Sequence, residues 1–157
     1  MLRLSKLTDY AVVVLIRLGT ESREGATVQT SGGLSGATGV PEPTVAKVLK
    51  ALSGANLVAS TRGARGGYRL ARGLGEISIA DVIAAIDGPI ALTACVDGSP
   101  ASCDMSEVCA VRGRWDLVND AIRRAMMSIT LADMRDASVP RAFRHESVPA
   151  ALAAPAE

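Results

Sequence analysis

"TGVPEPTVAKVLKALSGANLVASTRGARGGYRLA", residues 38–71, is the stretch on which the fold turns. Its first half has the marks of a helix. Pro41 or Pro43 suits a first helical turn, where a missing N–H costs nothing, and Glu42 complements the positive helix end. Val45, Val48, Leu49 and Leu52 recur at the spacing of one buried stripe, and Gly54 is a stop signal. The second half, "LVASTRGARGGYRLA", reads as two short strands around a turn rich in glycine and arginine. A helix that feeds directly into a basic hairpin is the pattern to be explained.

Upstream, Leu4, Leu7, Tyr10, Ala11, Val14, Leu15 and Leu18 step at helical spacing. They predict a first helix capped by Thr8 or Ser5 and ending near Gly19 or Thr20. The intervening "GATVQTSGGLSGATGV", residues 25–40, supports only a short, weak helix. Leu34 and Ala37 can face a core, but Gly32, Gly33 and Gly36 each cost about 1 kcal/mol relative to alanine in a helix. Helix, short helix, helix, hairpin is the order of a winged helix-turn-helix, with its turn at Gly39-Val40 before Pro41. Residues 1–75 form this predicted DNA-binding domain.

The third helix would enter a major groove N-terminus first. Thr44 and Lys47 can reach a base edge or phosphate, Pro43 offers an apolar contact, and Lys50, one turn later, suits a phosphate. At the hairpin tip, "RGARGG", the glycines allow close approach while Arg62 and Arg65 project where a narrow minor groove attracts guanidinium. Charge agrees with this. Residues 1–75 hold ten Lys or Arg against four acids, a net of +6, whereas the rest of the chain carries a net of −5. A polyanion partner is therefore expected for the first half alone.

Downstream, "ISIADVIAAIDG" predicts a helix capped by Ser78 and ended by Gly88-Pro89. The segment after it, "CVDGSPASCDMSEVC", holds all three cysteines of the chain, spaced C-x7-C-x5-C. Residues 76–105 thus form a linking helix and a cysteine-bearing loop. From Ser106 the pattern is helical again. Val108, Val111, Trp115, Val118, Ile122, Ala125 and Ile129 alternate steps of three and four, a heptad seam. Such a seam beyond a domain with its own core suits pairing with a second copy, so residues 106–135 are assigned to a dimerisation helix, with Trp115 a candidate anchor. The Ala/Pro-rich residues 136–157 are assigned to a disordered tail. The fold class expected is mainly α with a small β-hairpin wing: a winged helix-turn-helix domain plus a long C-terminal dimerisation helix.

Composition narrows the function. The chain has 157 residues, 48% of them apolar but only 3% aromatic, enough for one compact domain with an aliphatic core. No run approaches the roughly 18 to 20 apolar residues that cross a bilayer, and Ala11 to Ile16 is too short for a secretory signal core. A cytoplasmic location, with thiols kept reduced and no membrane partner, is the expectation. The odd cysteine count also argues against a disulfide. Neither spacing is the tight CxxC pair usual for structural zinc, and the single histidine, His145, lies in the tail. Three thiolates on one loop suit an iron–sulfur cluster with a weak further ligand, for which Glu107 and Asp104 are in reach; zinc and redox-switched free thiols stand as alternatives. Nothing pairs carboxylates with a histidine or cradles a phosphate ahead of a helix. No enzyme and no small-molecule substrate are expected, and the rival of another class is a thiol or iron–sulfur redox protein.

"LRLSKLTDYAVVVL", "TGVPEPTVAKVLKAL", "STRGARGGYRLAR", "ISIADVIAAIDGPIALTAC" and "VCAVRGRWDLVNDAIRRAMMSITLADM" together resemble the IscR-like family of winged-helix regulators, and more narrowly its SUF-system iron–sulfur assembly regulators. The resemblance runs over about residues 1 to 135. It implies a homodimeric repressor that binds double-stranded operator DNA, carries an iron–sulfur cluster and adjusts transcription of cluster-assembly genes. By motif, Cys95, Cys103 and Cys109 take the ligand positions, Arg62 the wing arginine's place, and Pro43, Thr44 and Lys47 the recognition helix. A 2Fe–2S cluster follows by analogy with IscR, with 4Fe–4S the alternative. Two positions depart from the family pattern. Arg112 stands where IscR has a histidine three residues after the last cysteine, and Gly32 to Gly36 replace an alanine-rich supporting helix. Regulators of the same fold that sense nitric oxide, redox state or iron are the nearer rivals.

Overall fold

A computed structural model of the chain describes residues 3–21, 28–63, 65–96, 98–99, 103–104 and 108–137. The order is α1 (Lys6–Glu21), α2 (Ser31–Thr38), α3 (Glu42–Gly54), β1 (Val58–Thr61), β2 (Gly67–Leu70), a 3-10 turn (Leu74–Glu76), α4 (Ile79–Ile86), α5 (Trp115–Met127) and α6 (Leu131–Asp136). The expected class, mainly α with a two-stranded wing, is what forms.

Helix α1 starts under Ser5, whose Oγ accepts from the Thr8 N–H at 3.2 Å. Thr8 itself is inside the helix and buried. The helix runs past Gly19 rather than ending there. A Cβ at Gly19 would lie 2.5 Å from Leu74 side-chain atoms, so glycine serves the seating of the 3-10 turn against α1. Ala11, Val14, Leu15 and Leu18 of α1 meet Leu34 of α2, the predicted Val45, Val48, Leu49 and Leu52 stripe of α3, and Leu57 and Val58 at the wing's root. This aliphatic centre is the core of the winged-helix half.

The wing pairs antiparallel from Val58↔Leu70 to Thr61↔Gly67. A third segment reinforces it. Gln29 exchanges both backbone bonds with Tyr68, at 2.9 and 2.8 Å, so the stretch before α2 closes on β2. A Cβ at Gly67 would lie 2.6 Å from the Gln29 carbonyl oxygen, so this approach requires glycine.

The C-terminal region differs from the single helix expected over 106–135. The described residues from 108 to 114 form turns, α5 begins at Trp115, and the helix breaks at Ser128 before restarting at Leu131. The break has a local cause. Thr130 caps α6 in a reciprocal box with Asp133: the Asp133 N–H donates to Thr130 Oγ1, and the Thr130 N–H donates to Asp133 Oδ2. Ser78 and Asp81 build the same box at the start of α4. The two caps lie side by side, with the Ile79 N–H donating to Ile129 O and the Leu131 N–H to Ile77 O, both at 2.9 Å. Leu131 is thereby buried in the winged-helix core. The region assigned to the tail begins inside α6, which ends at Asp136; residues 138–157 lie outside the described residues.

Candidate nucleic-acid interface and cysteine loop

The glycine-rich α2 is held by side-chain bonds rather than by propensity. Thr30 Oγ1 accepts from the Gly33 N–H at 3.1 Å, Thr38 Oγ1 donates to Leu34 O at 2.6 Å, and Ser35 Oγ donates to Val40 O at 2.7 Å. Each such bond contributes about 0.5–1.5 kcal/mol net, comparable with the cost of about 1 kcal/mol per glycine. Leu34, fully buried, then anchors the helix. Gly39 closes it at φ 73°, a left-handed conformation that suits glycine, with its N–H on Ser35 O. The chain thus turns sharply into α3. Ser31 Oγ donates to Glu42 Oε1 at 3.1 Å, tying the starts of α2 and α3 together.

On α3 the buried stripe faces inward and leaves Pro43, Lys47 and Lys50 exposed, with Thr44 half-buried beside them. Arg62 and Arg65 are exposed at the wing tip, where the Gly66 N–H bonds Gly63 O at 2.8 Å. Arg69, exposed on β2, adds a cation that was not among the predicted site residues; period-two alternation along "GYRL" was the signal for it. Arg72 is a weaker candidate, since it lies 4.0 Å from Asp81 and bonds Glu76 O.

The cysteine loop leaves α4 at Asp87, and Gly88 turns it at φ 91°. Thr8 Oγ1 donates to Asp87 Oδ2 at 2.6 Å. Burial pushes the Asp87 carboxyl up, but bonds from the Thr8 hydroxyl and from the hydroxyl and backbone of Ser5 outweigh it and hold the group below the usual carboxylate range. A few residues on, Asn119 of α5 is buried and grips the loop. Its Nδ2 donates to Ile90 O at 3.0 Å, and its Oδ1 accepts from the Leu92 N–H at 3.1 Å.

Cys95, Cys103 and Cys109 are half-buried and none is in a disulfide. Cys95 Sγ lies 3.3 Å from Thr93 Oγ1. Among the described residues no three His, Cys, Asp or Glu side chains are brought together as a metal would need. Asp104 is exposed and Glu107 lies outside the described residues. Arg112 is exposed in the turns before α5, its N–H on Cys109 O at 3.2 Å. In donor chemistry, three free thiols on one loop fit an iron–sulfur centre. The seam residues Val111, Trp115, Val118 and Ile129 are each more than 40% exposed, so the apolar seam along α5 is left uncovered among the described residues.

A helix-turn-helix followed by a basic wing is the architecture of a DNA-binding transcription regulator. Comparison with known proteins places it further. Rrf2, described as an iron-dependent transcriptional regulator, matches residues 4–137, and the chain belongs to this family. It is 34% identical over 141 residues to a Mycobacterium tuberculosis protein named as an HTH-type transcriptional regulator, covering 88% of this chain and 84% of that one. It is 30% identical over 139 residues to the HTH-type transcriptional regulator IscR of Photobacterium profundum, covering 88% and 78%. Among solved structures, CymR, the global cysteine regulator of B. subtilis, superposes with TM-score 0.66 at 28% identity, covering 88% of this chain and all of that one.

Proposed function

We propose that the chain is a homodimeric, iron–sulfur-responsive repressor of iron–sulfur cluster assembly genes, those of the SUF system foremost, acting in the cytoplasm. The observation that carries the reading is the set of three free thiols on the loop between α4 and α5, beside an apolar helix seam left uncovered among the described residues. Likeness to IscR and the iron dependence described for Rrf2 support it.

In this reading Cys95, Cys103 and Cys109 hold the cluster, with Asp104 or Glu107 as the further ligand and 2Fe–2S the favoured type. The cluster supplies a labile, redox-active centre whose occupancy follows supply. The α5 face pairs with that of a second copy, with Trp115 as anchor, setting two α3 helices against a two-fold operator. Pro43, Thr44 and Lys47 meet the major groove, Lys50 a phosphate, and Arg62 and Arg65 the minor groove. A loop ordered by its cluster changes how the paired α5 helices hold the wings, and operator affinity shifts with occupancy.

Anaerobic purification with visible spectroscopy and iron and sulfide quantification tests the centre. Salt-dependent gel shifts with DNA selected by the protein from a random pool test the reader. Cys103→Ala should leave an apo dimer that no longer distinguishes loaded from unloaded conditions; identical DNA affinity for holo, apo and Cys103→Ala chains would sink the sensing role. The second reading is a regulator of the same fold that reports redox state, nitric oxide or iron through thiols that are free in the structure. Protein that stays colourless and free of sulfide after reconstitution would decide for it, and its iron content would then separate iron sensing from redox or nitric oxide sensing.

A further inference from the structure

Among the described residues only two polar side chains are buried, Thr8 and Asn119. They lie on two helices far apart in sequence, α1 and α5. Both bond to the same six-residue segment: Thr8 to Asp87, at one end, and Asn119 to Ile90 and Leu92, at the other. This segment is the root of the cysteine loop. Asn119 takes the place of a neighbouring strand, donating to one backbone carbonyl and accepting from the N–H two residues on, so it fixes the register of the loop on α5. An apolar residue there would leave the Ile90 carbonyl and the Leu92 N–H without this partner. The amide's distinct contribution is position.

We propose that Asn119 is a positioning residue that couples the cysteine loop to the DNA-reading half, by locking residues 90–92 onto α5 while the Thr8–Asp87 bond locks the same segment onto α1. The inference rests on the sensing role proposed above. Helix α1 packs directly on α2 and α3, and α4 packs on α5 as well as on α1 and α3. Residues 87–92 join the loop itself to both α1 and α5, so a change in the loop reaches the reading helix through them, beside the direct contact of α4 with α3. With Asn119 removed, the loop can change state without carrying α5 along.

Two quantities on the full chain test this. One is the ratio of DNA affinities between protein reconstituted anaerobically with ferrous iron and sulfide and the same protein after chelation, on duplex selected from a random pool. The other is the hydrogen-exchange rate of the Leu92 amide in the chelated protein. The wild-type ratio is expected to differ from one by about fivefold or more. Asn119→Ala should bring it within about twofold of one and speed Leu92 exchange by about tenfold. Asn119→Asp, which keeps the acceptor for the Leu92 N–H, should protect that amide and retain part of the ratio; this variant also serves if Asn119→Ala folds poorly. Val14→Ala, a substitution in the core of α1, controls for general loss of stability and should keep the wild-type ratio. An Asn119→Ala protein with an unprotected Leu92 and a wild-type ratio overturns the inference, as does a Val14→Ala protein that loses the ratio equally. A wild-type ratio of one sinks the sensing role and this coupling together; a wild-type ratio far from one that Asn119→Ala leaves intact sinks the coupling alone.

Discussion

Leu34 and Val118 are both apolar residues in the middle of a helix, yet the first is fully buried and the second is 45% exposed. Leu34 lies in a helix of poor intrinsic propensity that is completed by its own chain, through caps and the α1 and α3 surfaces. Val118 lies in a helix with a clean apolar seam that no surface among the described residues covers. The winged-helix half is thus closed, and the α5 half has its inner face settled by Asn119 and its outer face open. Stability of the first half and the pairing proposed for the second should therefore be separable.

The largest expected effect tests that separation. Leu34→Ala should cost about 2–5 kcal/mol of unfolding free energy, read from urea midpoints. Val118→Ala should change stability by about 0.5 kcal/mol or less at dilutions where chains are single, while Val118→Glu should abolish, in sedimentation experiments, the pairing proposed for the α5 face. Equal destabilisation by Leu34→Ala and Val118→Ala in the dilute regime would break the comparison. Next in size, combined Lys47→Ala and Arg62→Ala should lower DNA affinity about tenfold and reduce the slope against log salt by about two, with thermal stability unchanged. An unaltered salt slope would remove these cations from the interface.

Thr130→Ala comes third, with a loss of about 1 kcal/mol seen as a lower melting temperature, because it opens the box that seats Leu131. Ser78→Ala should match it, since both caps share one bridge. The smallest effect is acid sensitivity. Bonds from the Thr130 hydroxyl and backbone hold the exposed Asp133 below the usual carboxylate range, as Thr8 and Ser5 do for Asp87. Their contribution is therefore complete above the unfolded value of about 4 and fades as pH falls through the lower folded values. Melting temperature should decline with acid below that point, and Asp87→Asn with Asp133→Asn should flatten the decline.

The closed half was legible because local and global signals agreed in it. The α3 stripe, the hairpin and the Ser78 cap were all readable from spacing and caps. What escaped was set by partners distant in sequence. Nothing in "VQT" announces that Gln29 will bridge Tyr68, and nothing in a heptad reading marks Asn119 as the grip on Ile90 and Leu92. One local signal was passed over. "TLAD" at residues 130–133 has the same capping-box form as "SIAD" at 78–81, but the continuing apolar seam masked it. Of the interface, the positions of Pro43, Thr44, Lys47, Lys50, Arg62 and Arg65 on α3 and the wing followed from the motif. The mutual arrangement of the three thiols did not, since a loop's geometry has no periodicity to read.

The paired caps at Ser78 and Thr130 also bear on how the chain can be handled. Because α6 returns to the 3-10 turn and α1, α5 is pinned at both of its ends, a beam rather than a swinging arm. Trimming the gene after Met127 would leave a hole where Leu131 sat, so a workable minimal fragment must extend through Ala137. A purification handle fused there would emerge beside α1 and the 3-10 turn.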